Sequence, residues 1–217
     1  MIQGFFFDLD GTLADTALDL GGALNRLLTE EGKQPLPMDQ LRPHVSGGAR
    51  ALLRTGFGIT PEDAGYNELQ RRFLDIYAAH ICVDTHLFDG MEQVLATLEN
   101  RAIPWGIITN KVARFTTHVV AGLQLQHRAA SVISGDSAAR PKPAPDPLLM
   151  AATQAGLRPE HCLYIGDDLR DIQAGKAAGM GTVIAAWGYL GESPDIASWE
   201  ADHICKTPLD LLRLIPA

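Results

Sequence analysis

Five short stretches of this chain, residues 2–9, 103–109, 131–134, 162–166 and 181–186, are apolar on consecutive rather than alternate positions. A strand that is apolar on both sides must be covered on both faces, as in a parallel sheet lined by helices. Between these stretches lie segments with helical spacing at 91–101, 113–123, 147–156 and 168–179. Gly156 and Gly179 stand where helix C-caps are expected. Strand and helix in alternation predict an α/β fold with a doubly wound parallel sheet.

The segment 15–85 breaks this alternation. It reads as helices over 16–31, 38–45, 48–57, 61–64 and 67–81, separated by polar or Gly/Pro breaks. Leu20, Ala23, Leu24, Leu27 and Leu28 recur at helical spacing. The expected organisation is therefore a core domain of residues 1–14 and 86–217 carrying a helical insertion over 15–85. A chain of 217 residues is long enough to bury such a core and an accessory domain.

Composition narrows the range of partners. The formal charge is −8, which repels nucleic acid and anionic lipid and so argues against both. A small anionic substrate must then meet positive charge locally, from a metal ion or a few placed Lys and Arg. No apolar stretch approaches the roughly 20 residues that span a bilayer, and the first residues lack the basic region of a signal peptide. Cys82, Cys162 and Cys205 form no CxxC pair, which predicts reduced thiols. These features predict a soluble, cytoplasmic protein; a monomer or weak homodimer is expected, though no sequence feature fixes the oligomeric state.

The polar residues gather where chemistry is expected on such a sheet. Asp8 and Asp10 close the first apolar stretch, Thr109 closes the second, and Asp167 and Asp168 follow residues 162–166. In open parallel sheets, sites form in the crevice beyond the carboxyl ends of strands. Carboxylates clustered there repel one another and raise one another's pKa. A divalent cation removes that cost, and an all-oxygen donor set favours Mg²⁺.

Taken in order, Asp8-Leu9-Asp10-Gly11-Thr12-Leu13, Thr109-Asn110-Lys111, Pro141-Lys142-Pro143 and Gly166-Asp167-Asp168 with Asp171 resemble the motifs of the haloacid-dehalogenase superfamily. The resemblance covers the whole chain. It implies a Rossmann-like core with an α-helical cap inserted after the first motif. It also implies that Asp8 is a nucleophile taking up the phosphoryl group and Asp10 a general acid/base, with Thr109 and Lys142 holding phosphate oxygens. Mg²⁺ would be bound by Asp8, the main-chain carbonyl of Asp10, and Asp167. The second Asp of the first motif points to a phosphatase rather than a dehalogenase.

Several flanking residues carry two readings. Asp168 and Asp171 fit either the metal site or the first turn of a helix, and in the second case they would stand behind the metal, Asp171 orienting its waters. Asn110 fits a helix N-cap, and Lys111 an exposed helix charge; both also stand where they can touch substrate. Ser46-Gly47-Gly48-Ala49-Arg50 fits either a helix-joining turn or an anion cradle at a helix start, with Arg50 adding donors. Together with Leu87-Phe88-Asp89-Gly90-Met91 and Trp105-Gly106-Ile107-Ile108, this segment resembles the N-acetylmuramic acid 6-phosphate phosphatases, a group often labelled phosphoglycolate phosphatase. Val112 departs from the Pro common there, which should alter the helix start and not the chemistry. The expected activity is thus Mg²⁺-dependent hydrolysis of a small phosphate ester. N-acetylmuramic acid 6-phosphate, from peptidoglycan sugar recycling, is the expected substrate and 2-phosphoglycolate the alternative. A sugar phosphomutase and a non-enzymatic phospho-acceptor module are the competing classes.

Overall fold

The computed structural model describes residues 1–191 and 195–216. The chain opens with β1 (Gly4–Phe7) and β2 (Ala14–Asp15). It then passes through α1 (Ala17–Glu30), α2 (Met38–Leu41), a 3-10 segment (Arg42–Gly47), α3 (Gly48–Phe57) and α4 (Tyr66–Ala79), returning at β3 (His86–Leu87). There follow α5 (Met91–Asn100), β4 (Trp105–Ile108), α6 (Ala113–Gly122), β5 (Ser131–Ile133) and α7 (Asp146–Gln154). The last elements are β6 (Cys162–Gly166), α8 (Leu169–Ala178), β7 (Gly181–Ala185) and β8 (His203–Cys205).

One 6-stranded sheet runs in the order β5-β4-β1-β6-β7-β8, every pairing parallel. The consecutive apolar positions have the reason expected of them. Phe5 and Phe7 enter one core with Trp105, Ile107, Ile165 and Val183, while Phe6 enters the opposite core with Ile108, Ile133 and Tyr164. Helices α5 and α6 cover the first face with Val94, Leu95, Leu98 and Val119. Helices α7 and α8 cover the second with Leu148, Ala151 and Ala174. The chain winds outward from β1 in both directions, through β4 to β5 and through β6 to β8. This opens a crevice at the carboxyl end of β1.

Helices α1, α3 and α4 share a core of their own, with Leu24, Leu27, Leu52, Leu53 and Phe73 buried in it. Phe115 of α6 and Tyr189 beyond β7 also belong to this cluster, so the helical layer is seated on the sheet's crevice. Its entry and exit are joined by the β2–β3 ribbon, with Ala14 opposite Leu87 and Asp15 opposite His86. The buried carboxylate of Asp19 accepts hydrogen bonds from the backbone N–H groups of Val83, Asp84 and Thr85 at 3.1, 2.9 and 3.0 Å. That fixes the returning strand to the first helix.

The structure departs from the sequence reading locally. Beyond the five apolar stretches the sheet has a sixth strand, β8, which is short and mostly exposed and so leaves no apolar pattern. Residues 61–64 form turns rather than a helix, because Asp63 Oδ2 accepts from Thr60 N at 2.7 Å and closes the chain on itself. The helix expected over 38–45 changes to 3-10 geometry at Arg42, where Pro43 removes a backbone donor. Among the described residues no helix is long and apolar enough to cross a membrane.

Candidate active site

Three neighbouring strands end at the crevice, and each delivers a polar residue there. Asp8 follows β1, Thr109 follows β4 and Asp167 follows β6, and all three are buried. Helix α8 begins immediately beyond. Asp168 is its N-cap and accepts from Arg170 N at 2.9 Å, while Asp171 Oδ2 accepts from Asp168 N at 3.1 Å, a reciprocal capping box. The box fixes the side-chain direction of Asp171 in the first turn of α8. One carboxylate oxygen from each of Asp8, Asp167 and Asp171 lies within 4.8 Å of the others.

Three buried carboxylates cannot all ionise without compensation. Burial, opposed by Lys142, pushes the Asp8 carboxyl up to about 7. Burial, with the charges of Asp8 and Asp171, pushes Asp167 up to about 8. Lys142 supplies a positive charge among them. Its Nζ donates to Asp171 Oδ1 at 2.7 Å, Tyr164 Oη at 2.8 Å and the Ile108 carbonyl at 3.1 Å. Burial works against that ammonium, yet Asp171 and Asp8 outweigh it and hold its pKa above the ordinary lysine value. Asp8 Oδ1 lies 2.9 Å from Nζ, a contact that together with the ammonium's charge lowers the Asp8 pKa against burial, and no donor other than Lys142 reaches this buried oxygen. An all-oxygen set of three buried carboxylates with a single lysine among them fits a hard divalent cation.

Asp167 is held in place on both oxygens. Thr12 Oγ1 donates to Oδ1 at 3.0 Å, and Ser46 Oγ and Tyr189 N each donate to Oδ2 at 2.9 Å. Ser46 comes from the helical layer, so this carboxylate joins that layer to the sheet. Gly11 is required here: its φ is +87°, and a Cβ on it would stand 2.3 Å from Asp167 Oδ2.

The carboxylate of Asp10 is outside this cluster. Its Oδ1 accepts from Lys111 Nζ at 2.7 Å and from Thr16 Oγ1 at 2.6 Å. Asp171, expected to stand behind the metal, has its carboxylate in the cluster itself. Lys111 is no exposed helix charge. Its side chain is 8% exposed, and although burial opposes its charge, Asp10 raises its pKa. Asn110 does not cap a helix, since Val112 occupies that position in an extended conformation. Asn110 exchanges 3.0 Å hydrogen bonds with Lys142 N and O and so fixes the lysine's backbone to the β4 loop.

Above these groups lies a cavity of about 340 Å³. From the sheet side it is lined by Asp8, Asp10, Thr109, Lys111, Lys142 and Asp171. From the helical side it is lined by Ser46, Gly47 and Gly48, and by an apolar wall of Leu20, Val45, Phe73, Leu74 and Tyr77. The expectation that Arg50 adds donors here needs correction. Arg50 is exposed and does not line the cavity, because its position on α3 turns it toward Glu62 and Tyr66. Arg170 serves that loop instead, donating to the Ser46 carbonyl at 2.9 Å while Asp168 holds its guanidinium at 2.8 Å.

Sequence reasoning missed Thr12, Thr16, Tyr77, Tyr164, Arg170 and Tyr189. Thr12 sat inside the first motif, and Tyr189 stands just beyond a strand end, so both were within reach of the strand-end argument. Tyr77 lies on an apolar helix stripe, where nothing in the pattern sets it apart from a packing residue.

The haloacid dehalogenase-like hydrolase family model matches residues 5–185. The N-acetylmuramic acid 6-phosphate phosphatase of Pseudomonas putida is 37% identical over 99% of this chain and 96% of its own length. The phosphoglycolate phosphatase of Xanthomonas campestris pv. campestris is 42% identical over 96% of this chain and 94% of its own. The crystal structure of a predicted phosphoglycolate phosphatase from Haemophilus somnus superposes with a TM-score of 0.86 at 24% identity, covering 98% of this chain and 97% of that one. At that identity the likeness speaks for the fold alone.

Proposed function

The chain belongs to the haloacid dehalogenase-like hydrolases and is a phosphatase, and from that premise we propose that it hydrolyses N-acetylmuramic acid 6-phosphate with Mg²⁺ through an aspartyl-phosphate on Asp8. Asp8, Asp167 and the main-chain carbonyl of Asp10 would hold the ion, with Asp171 beside them. The ion when bound supplies charge to offset that of the phosphate and of the carboxylates.

The work of the protein groups follows from their placement. Asp8 lines the cavity beyond β1; with one carboxylate oxygen given to the ion, the other would attack phosphorus and carry the phosphoryl group. Lys142 and Thr109 face the phosphate end, where transfer asks for positioning and charge stabilisation. Asp10 gives a proton to the leaving alkoxide and then takes one from the attacking water. Lys111 and Thr16 fix the carboxylate of Asp10 for both steps. The helical layer over the crevice excludes bulk water from the acyl phosphate.

The observation that carries the choice of substrate is the size and wall of the cavity. At about 340 Å³ it falls in the range of about 300–1,000 Å³ that encloses a molecule of many heavy atoms. The apolar helical side offers surface for methyl groups and a sugar ring. Phosphoglycolate is far smaller and has no such surface. It remains the second reading because a 42% identical relative carries that name. The test is kcat/KM for both esters with Mg²⁺. This reading expects the sugar phosphate to be preferred by at least an order of magnitude, and the reverse ranking discards it.

A further inference from the structure

We propose that Tyr77 Oη, beside the ammonium of Lys111, is the recognition point for a carboxylate on the substrate's leaving group, an inference that rests on the phosphatase reading above. Tyr77 lines the cavity from α4 and is 1% exposed. Its buried phenol oxygen interacts with the Lys111 ammonium, which can only donate, and no acceptor for the phenol proton is within reach. Phe115 meets the ring edge-on, 5.2 Å between centroids, so the phenol is not free to swing toward a partner elsewhere. A tyrosine kept for packing alone would do as well as phenylalanine. A phenol proton left over in a substrate cavity is a donor waiting for an acceptor.

The neighbouring charge says which acceptor. Lys111 Nζ lies 5.1 Å from the centre of the Tyr77 ring. Asp10 takes one of its three protons. The other cations at the cavity are engaged: the protons of Lys142 go to Ile108, Tyr164 and Asp171, and Arg170 is held by Asp168 and Ser46. An anionic leaving group entering past Asp8, Asp10 and Asp171 therefore meets its countercharge at Lys111. A neutral phenol next to an ammonium offers convergent donors to one carboxylate, a charge-assisted pairing that an uncharged hydroxyl cannot match. Burial raises the Tyr77 pKa to about 12, so the phenol keeps its proton.

The carboxylate could come from a lactyl ether on an amino sugar or from glycolate itself, and matched ester pairs separate these sources. One pair is N-acetylmuramic acid 6-phosphate and N-acetylglucosamine 6-phosphate; the other is phosphoglycolate and 2-hydroxyethyl phosphate. Steady-state kinetics with Mg²⁺ are compared for the wild type and Tyr77→Phe, with melting curves to establish that the variant is folded. Loss of a hydrogen bond to a charged group predicts that kcat/KM for the preferred carboxylated ester falls about ten- to a hundredfold more than for its uncharged partner, mainly through KM. Equal losses within a pair overturn the inference and leave the sugar reading untouched. A selective loss confined to the phosphoglycolate pair upholds the inference and discards the sugar. A wild-type enzyme that prefers neither carboxylated ester overturns the inference while leaving phosphatase activity standing.

Discussion

Replacing Lys142 by methionine keeps the length and most of the volume of the side chain and removes its charge. In the wild type that charge sits 2.7 Å from Asp171 Oδ1 and 2.9 Å from Asp8 Oδ1, with the lysine side chain only 3% exposed. Removing one partner of a buried ion pair costs about 3–5 kcal/mol, because the other partner stays buried and unpaired. For a chain of this size that lowers Tm by roughly 6–20 °C. The cost depends on pH in a defined sense. Asp8 and Asp167 have folded pKa values raised to about 7 and about 8 from an ordinary 3.8. Below about pH 4 both are protonated, folded or unfolded, and carry no penalty. From there the metal-free fold loses on the order of 1 kcal/mol per pH unit for each group, up to about pH 7 for Asp8 and about pH 8 for Asp167, where each penalty is complete. Lys142 lowers the pKa of Asp8, so the variant should be most destabilised at pH 8 and least at pH 5. Mg²⁺ should raise Tm at pH 8 and narrow the gap. Calorimetry with and without Mg²⁺ at the two pH values reads this directly. A gap of equal size at pH 5 and pH 8 would mean that Lys142 acts through packing and that the charge argument is wrong.

Other perturbations probe the remaining parts. Lys111→Met leaves Asp10 with Thr16 alone and should lower kcat about ten- to a hundredfold, the worth of a charge-assisted hydrogen bond, measured under saturating substrate. Its melting temperature should change less than that of Lys142→Met, since Lys111 faces one carboxylate rather than two. Gly11→Ala puts a Cβ 2.3 Å from Asp167 Oδ2 at a φ of +87°. It should destabilise by about 1–3 kcal/mol and weaken Mg²⁺ binding in titration calorimetry, and an unchanged Mg²⁺ affinity would remove Asp167 from the metal site.

How much of this was legible in the sequence follows from what each pattern encodes. The doubly wound sheet was readable because strands buried on both faces must be apolar at every position, as Phe5, Phe6 and Phe7 are. Asp8, Thr109 and Asp167 were readable because strand ends converge. Strand β8 escaped because it is largely exposed and three residues long. The partners of the acids were less visible. That Lys111 meets Asp10 across 101 positions depends on how the loops after β1 and β4 are placed, and that Ser46 meets Asp167 across 121 depends on how the helical layer lies over the crevice. No local periodicity specifies that placement. Arg50 misled because a basic residue after two glycines suggests an anion cradle, whereas the turn of α3 carries it away from the cavity. Asp168 and Asp171 had two readings because the capping box makes both partly true: they cap α8, and Asp171 also faces Lys142.

The central claim is that the Asp8 carboxylate bonds to phosphorus. An enzyme caught in turnover with Mg²⁺ and a good substrate, quenched in acid and reduced with borohydride, converts an acyl phosphate to the alcohol. Mass spectrometry of the amino-terminal peptide should find homoserine at position 8, and none when Asp8→Asn is treated identically. Rapid phosphate release by the wild type with residue 8 recovered only as aspartate, or with the modification on a different carboxylate, would contradict it.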